Sequence, residues 1–283
     1  MPVPEMSFAA SLTSAELTAK ASVRRRLFGE LARTRLSGVI LIVMLLVLWE
    51  VSAARGWIIS DNWPRFSAVL AAAYHGLRSG ELGEILGSTL YRMLAGYAAG
   101  CALGVLFGLL LGSNCFLDWT IRPLIEIQRT LPSPAIIPPL ILFLGVDDTL
   151  KIFIIMLAVF PPVFVNTYGG VRGLDETLLL TAGTFGLSRF DTLRKIVLPA
   201  TLPAMTAGMR IALSLALIMA VIGEMISGTS GVGNYLMSMQ YAMRADSMYA
   251  AVICLAATGY LLNRIFLVLE RTVLHWHHSM RMS

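Results

Sequence analysis

Six apolar runs, each close to the ~20 residues that a helix needs to cross a bilayer, constrain this chain more than any other feature. They fall at about 36–54, 88–112, 123–144, 151–170, 204–226 and 248–269. A soluble globule could not cover them, because the 283 residues are 57% hydrophobic and only 14% charged, with mean hydropathy +0.74. The predicted class is all-α, a polytopic membrane protein with six transmembrane helices over 36–270. A cytoplasmic N-terminal tail (1–35) and a cytoplasmic C-terminal tail (271–283) are expected around them.

Basic residues set the orientation. The N-terminal arginines 24–26, 33 and 35, with Arg122, Arg172, Arg189, Arg194, Lys195, Arg271 and Arg281, fall on one side of the six spans. Arg55, Arg65, Arg78 and Arg244 fall on the other, so the richer side is cytoplasmic. The +5 net charge is accounted for by this placement and calls for no nucleic acid. Cys101, Cys115 and Cys254 have no metal-ligand spacing, and no catalytic or metal site is expected. His275, His277 and His278 beside Trp276 suit the headgroup layer of the membrane lipid. Val51-Ser52-Ala53 has the look of a cleavage site, but the preceding region is far longer than a signal peptide's, so the first span is expected to be retained. Trp57 and Trp63 anchor the following connection, where Pro64–Leu77 predicts an amphipathic helix lying on the membrane.

Two spans carry unusual patterns. Gly96, Gly100, Gly104, Gly108 and Gly112 recur every fourth residue, which lines one helix face with hydrogen and lets another backbone approach closely; this second span is expected to be central in its bundle. Pro132, Pro134, Pro138 and Pro139 break the third span, which membranes tolerate only where protein or water satisfies the freed carbonyls. Pro161-Pro162 interrupts the fourth.

Between the fourth and fifth spans lies a polar, basic stretch, Asp175 to Pro203, reading DETLLLTAGTFGLSRFDTLRKIVLPATLP. Asp175 caps a short helix through Thr181 and Ala182, Gly186 ends it in a left-handed turn, and Ser188 with Asp191 has a capping-box spacing for a second helix. Leu198-Pro199 and Leu202-Pro203 are expected to stop that helix before the next span. Two short helices at a bend make a knob, and a knob suggests a partner.

This stretch resembles the cytoplasmic loop of permease subunits of binding-protein-dependent ABC importers. That loop reads Glu-Ala-Ala, three residues, Gly, nine residues, then Ile-x-Leu-Pro. Leu180, Thr181 and Ala182 stand at the triplet, Gly186 at the glycine, and Ile196, Leu198 and Pro199 at the end, with Leu180 replacing the usual Glu. The segments SGELGEILGSTLYRMLAGYAAG, IEIQRTLPSPAIIPPLILFLGV, FPPVFVNTYGGVRGLDE and MAVIGEMISGTSGVGNYL look like the branch that handles nitrate, taurine and aliphatic sulfonates. The resemblance implies a second permease subunit, here a homodimer, an extracytoplasmic substrate-binding protein, and cytoplasmic ABC ATPase subunits that hold ATP and Mg. It also implies residence in the inner membrane with both termini cytoplasmic, and ATPase coupling through the 175–203 loop, with Thr181, Ala182 and Gly186 as the docking surface and Leu180, Ile196, Leu198 and Pro199 as further coupling residues. The residues agree on one point: no Gly-x4-Gly-Lys-Ser/Thr phosphate loop occurs, so the chain binds no such cofactor in the P-loop manner and is not itself an enzyme.

Ionisable groups at membrane depth are costly, so Glu126, Arg129 and Glu224 are the candidate pathway or gate residues. Glu126 and Arg129 stand three apart and can pair on one face. Glu224 would repel an anionic cargo, which favours a gate or helix contact. Arg92 and Arg210 are placed near span ends, where they can snorkel. Two alternatives stay open: a gradient-driven secondary transporter, which predicts midmembrane coupling carboxylates and an internal repeat, and a small heterocycle as cargo. A structural scaffold would not need a kinked span holding Glu126 and Arg129.

Overall fold

The computed structural model describes residues 35–58, 60 and 62–274, and every regular element among them is helical. Most of the N-terminal tail and the His275–His278 cluster lie outside the described residues. The chain divides into two compact units, residues 1–68 and 69–283.

In the first unit, α1 (Arg35–Ala54) is followed by a tight aromatic turn. Trp49 donates its indole N–H to the Pro64 carbonyl (3.0 Å), Trp63 donates to the Ser52 hydroxyl (3.0 Å), and the two rings lie 5.5 Å apart. The Glu50 carboxylate accepts from the N–H (3.0 Å) and hydroxyl (2.9 Å) of Ser67, which caps the first turn of α2 (Phe66–Arg78).

The second unit continues with α3 (Glu81–Ser113), α4 (Cys115–Thr130), a 3₁₀ turn (Ser133–Ile136), α5 (Ile137–Leu144) and α6 (Asp148–Arg172). Then come α7 (Glu176–Thr184), α8 (Arg189–Thr192), a π-helical segment (Leu193–Val197), α9 (Leu198–Ser227), α10 (Val232–Tyr241) and α11 (Ala245–Val273). Among the described residues four helices are long and apolar enough to cross a membrane, 81–113, 148–172, 189–227 and 245–273; α4 with the following 3₁₀–α5 segment makes a fifth, bent by 94°. The six-span count therefore stands at four or five by this measure, with the shorter apolar helix Gly38–Ala54 where the remaining span was expected. The bend falls at Leu131-Pro132, where the prolines remove donors from consecutive turns.

The glycine row packs against α6. A Cβ on Gly96, Gly100, Gly104, Gly108 or Gly112 would lie 2.6–2.7 Å from a side-chain carbon of Ile155, Val159, Val163, Thr167 or Val171 respectively. Glycines every fourth residue thus meet β-branched residues every fourth residue, at the same sequence offset at every rung, so α3 and α6 run parallel. The centre of the bundle is α6 rather than α3. A second face of α6 stacks Phe160, Phe164 and Tyr168 (successive ring centroids 5.7 Å apart) against Leu117, Ile121 and Ile125 of α4. A third meets α9, where a Cβ on Gly208 would lie 2.9 Å from the Pro162 carbonyl and one on Gly170 2.7 Å from the Ala204 Cβ.

The prolines of the 175–203 stretch do not stop the second helix. Arg189–Ser227 is one helical run of 39 residues, roughly 58 Å long at ~1.5 Å per residue. The π segment accounts for this: Leu198 N–H bonds back to the Leu193 carbonyl, a five-residue step, so the hydrogen-bond register shifts just before Pro199, which has no N–H to offer.

Candidate functional site

The knob is α7. Asp175 Oδ1 accepts from Thr177 N–H (2.8 Å) at its start. At its end Gly186 N–H bonds to the Gly183 carbonyl (3.0 Å) and Leu187 N–H to the Ala182 carbonyl (3.1 Å), with Gly186 at φ +65. That pair of bonds is a Schellman closure, which needs the left-handed residue that glycine supplies. Ser188 Oγ accepts from Asp191 N–H (3.1 Å) and caps α8, while the Asp191 carboxylate takes Lys195 at 2.9 Å. Hydrogen bonds from Thr177 hold the Asp175 carboxyl below the usual aspartate range, and Lys195 and then Ser188 do the same for Asp191.

The exposed side of the knob is apolar. Leu180 is 64% and Phe185 78% exposed, flanked by exposed Leu178, Leu179, Thr181 and Phe190. Ala182, expected on this docking surface, is 2% exposed: its small side chain is inside the fold, and α7 packs toward the π segment. Ile196, Leu198 and Pro199 are half-buried where the knob joins α9.

At the far end of the α3–α6 seam from the knob, here the distal end, the fold brings four charges together, burying Arg92, Lys151 and Glu224 and leaving Asp148 half exposed. Arg92 stands one turn before Gly96 on the glycine row, and Lys151 one turn before Ile155 on the β-branched row, so two cations share the first rung. Glu224, at the far end of α9 and 0% exposed, neutralises them with Asp148. Arg92 Nη1 donates to Glu224 Oε1 (2.9 Å) and to the Ser230 carbonyl (3.0 Å), and its Nε donates to Asp148 Oδ1 (2.7 Å). Lys151 donates to the Thr229 hydroxyl and lies 3.6 Å from Asp148. The Thr89 hydroxyl donates to Glu224 (2.9 Å) and accepts from Val232 N–H (2.9 Å), and Gly233 N–H donates to Glu224 Oε2 (3.1 Å). Gly231, at φ +120, passes so close that a Cβ there would lie 2.1 Å from the Glu224 carboxyl carbon.

Arg92 therefore does not snorkel; it is 4% exposed and held by three elements. Sequence reasoning missed it, together with Thr89, Asp148, Lys151 and Ser230. One signal was available: a charge in register with a packing row must enter the contact that the row makes. Arg210 does not stand alone either, since it lies 3.7 Å from Glu270 on α11.

Near the knob, Asp118 Oδ2 accepts from Arg172 (3.0 Å) and the Tyr168 hydroxyl (3.0 Å), with Arg122 at 3.9 Å and both guanidiniums within 6 Å of the Tyr168 ring centre. Glu126 and Arg129 pair at 3.5 Å on α4, both half-exposed and apart from Glu224's cluster. Among the described residues no group of three or more His, Cys, Asp or Glu could hold a metal.

Residues 103–275 match the family described as the binding-protein-dependent transport system inner membrane component. The chain belongs to that family. The permease's relatives include the protein SsuC of Bacillus subtilis (strain 168), named for aliphatic sulfonates transport, 30% identical over 94% of this chain and 95% of that protein. The taurine transport system permease protein TauC of Escherichia coli (strain K12) is 28% identical over 73% of this chain and 75% of its own length. Among solved structures, an inward-facing form of the MetNI methionine ABC transporter has the same fold, with TM-score 0.61 at 20% identity, covering 68% of this chain and 95% of that one. Family membership supports the reading as a multi-pass inner-membrane transport component rather than an enzyme, and the relatives support the sulfonate and taurine branch.

Proposed function

We propose that this permease is the membrane-spanning subunit of an ATP-driven importer, working as a homodimer that carries a small anion of the aliphatic sulfonate or taurine type. Cytoplasmic ATPase subunits, which hold ATP and Mg, dock on α7, and an extracytoplasmic binding protein delivers the cargo. Both termini and the knob lie on the cytoplasmic side, in line with the arginine distribution. The observation that carries this reading is the knob: a short helix closed at both ends by its own caps, showing Leu178, Leu179, Leu180 and Phe185 outward, and joined to the 39-residue helical run through α9. Exposed apolar residues on a rigid polar-capped element are what a partner cleft can grip. Leu180, in place of a carboxylate, makes that grip apolar. Glu126, Arg129 and the polar face of α4 line the route between two copies.

Membrane co-purification with the partner ATPase tests this reading, comparing wild type with Gly186→Asp. The aspartate places a Cβ at φ +65 and a charge beside the apolar face. Loss of the ATPase from a permease that still inserts and folds is the expected result. No binding to wild type, or equal binding to both, overturns the reading and favours a gradient-driven carrier. Uptake by the assembled complex then decides between a sulfonate and a small heterocycle.

A further inference from the structure

We propose that Arg264 and Tyr260 on α11 form a sulfonate-binding subsite in the water-filled route between two copies of the permease. The proposal rests on the importer reading above and deepens it by naming side chains that meet the cargo. Six other cations of the helical bundle are matched: Arg92, Arg122, Arg129, Lys151, Arg172 and Arg210 each have a carboxylate at 2.7–3.9 Å. Arg264 has no carboxylate partner among the described residues. It donates its Nε–H to the Tyr260 hydroxyl (2.8 Å), one turn earlier, and its guanidinium lies 5.2 Å from that ring's centre. That bond settles which way the side chain runs. α11 has 29 residues, ~43 Å at ~1.5 Å per residue, and Tyr260 stands near its midpoint, about 22 Å from Ala245 and about 20 Å from Val273. A snorkelling arginine would reach toward Val273, the nearer end; this one folds back toward the middle, the direction in which helical side chains lean. A guanidinium facing lipid tails at that depth is costly, and one facing a water-filled cavity is not.

The faces of α11 agree. Leu262 and Phe266 pack on the core, Glu270 reaches Arg210 of α9 at 3.7 Å, and a Cβ on Gly259 would lie 2.8 Å from Leu217. Those four residues share one side of the helix. Tyr260 and Arg264, both exposed, project away from it, beside exposed Leu261 and Val268. In a homodimer the apolar residues of this side can meet the second copy while the guanidinium stays in water between them. With Nε occupied, the two Nη atoms keep four N–H groups in a planar fork, which matches two oxygens of a sulfonate. The Tyr260 hydroxyl accepts from Nε and still has its own proton to donate to the same group. No carboxylate competes for this fork, in contrast to Arg129, which Glu126 holds at 3.5 Å. Two side chains without an enclosing cage bind an anion weakly enough to release it, as passage requires.

The test uses the full complex of permease, ATPase and binding protein in proteoliposomes, with radiolabelled ethanesulfonate as cargo. Arg264→Cys is made in a chain whose native cysteines are replaced and which still takes up cargo. It should cut cargo moved per ATP hydrolysed about ten-fold, the scale of one lost charge-assisted hydrogen bond. Aminoethyl methanethiosulfonate, which adds an ammonium at that position, should restore most of the uptake. Sulfonatoethyl methanethiosulfonate, which adds an anion of similar length, should react as well and restore none. Absence of reaction with both reagents places the position against lipid and overturns the proposal. Equal rescue by both, or uptake by Arg264→Cys equal to wild type, overturns it too. If Arg264→Cys fails to assemble, Tyr260→Phe decides: uptake per ATP should fall about three-fold, and unchanged uptake overturns the subsite. A wild-type complex that hydrolyses ATP and moves no sulfonate overturns the cargo reading, and the subsite with it. If the ATPase never assembles on the wild-type permease, the importer reading itself falls.

Discussion

The two ends of the α3–α6 seam are both ionic, and they are built in opposite ways. At the distal end two cations and two anions close on each other, with Glu224 and Lys151 at 0% and 1% exposure. The anion that matters most comes from a third helix, α9. At the knob end two arginines share one carboxylate, Asp118, which comes from α4, and both guanidinium side chains remain about half exposed. Solvent and headgroups can screen both arginines of the second cluster, whereas in the first they reach only Asp148, whose side chain is half exposed. Separating α9 from the distal end therefore leaves two buried cations with a single half-exposed carboxylate, Asp148, whereas the knob end tolerates small movements at little cost.

Removing one partner at each end sharpens this contrast most. Glu224→Ala leaves Arg92 and Lys151 buried on one rung with only Asp148 to neutralise them, and a loss of about 3 kcal/mol is expected in the denaturation of the permease in detergent. A loss no greater than that of a surface change would break the comparison. Gly108→Leu comes next: its Cβ would start 2.6 Å from the Thr167 Cβ, so α3 and α6 must part, costing about 1–3 kcal/mol in the same assay. Asp118→Asn should cost less, about 1 kcal/mol or below, because Arg172 and Arg122 keep solvent and the Tyr168 ring as partners. Equal effects of Glu224→Ala and Asp118→Asn would erase the distinction between the two ends.

The smallest expected effect is on pH. Asp175 and Asp191 have lowered values in the folded knob, so the stability they add is complete above the ordinary aspartate range. It is lost as pH falls through the lowered values. Hydrogen exchange corrected for its intrinsic pH dependence should show Thr177 and Asp191 amides losing protection below about pH 4, while the α3–α6 seam stays protected. Unchanged protection of both amides would show that the caps do not depend on charge.

Features confined to one helix turn were legible in the residues. The glycine row, the caps at Asp175 and Ser188, and the left-handed Gly186 all follow from i, i+3 and i+4 relations, which the backbone geometry fixes locally. Pro199 misled for a complementary reason: a shift to a five-residue step over Leu193–Val197 let the helix run on, and no residue pattern announces such a shift. Ala182 was placed on the right helix and the wrong face, because which side of a short helix is buried depends on what it packs against.

The sequence by itself determined that the chain is a helical membrane protein with a capped knob between two apolar segments, since hydrophobic length and local capping chemistry leave few other outcomes. Only the tertiary structure decided that α6 is the centre, and that Arg92 and Lys151 meet on one rung with Glu224 between them. That meeting depends on the register of α3 against α6 and on where α9 ends, which are relations between segments far apart in the chain. Side-chain size and charge enforce the register once the helices touch, but nothing within any one helix states it.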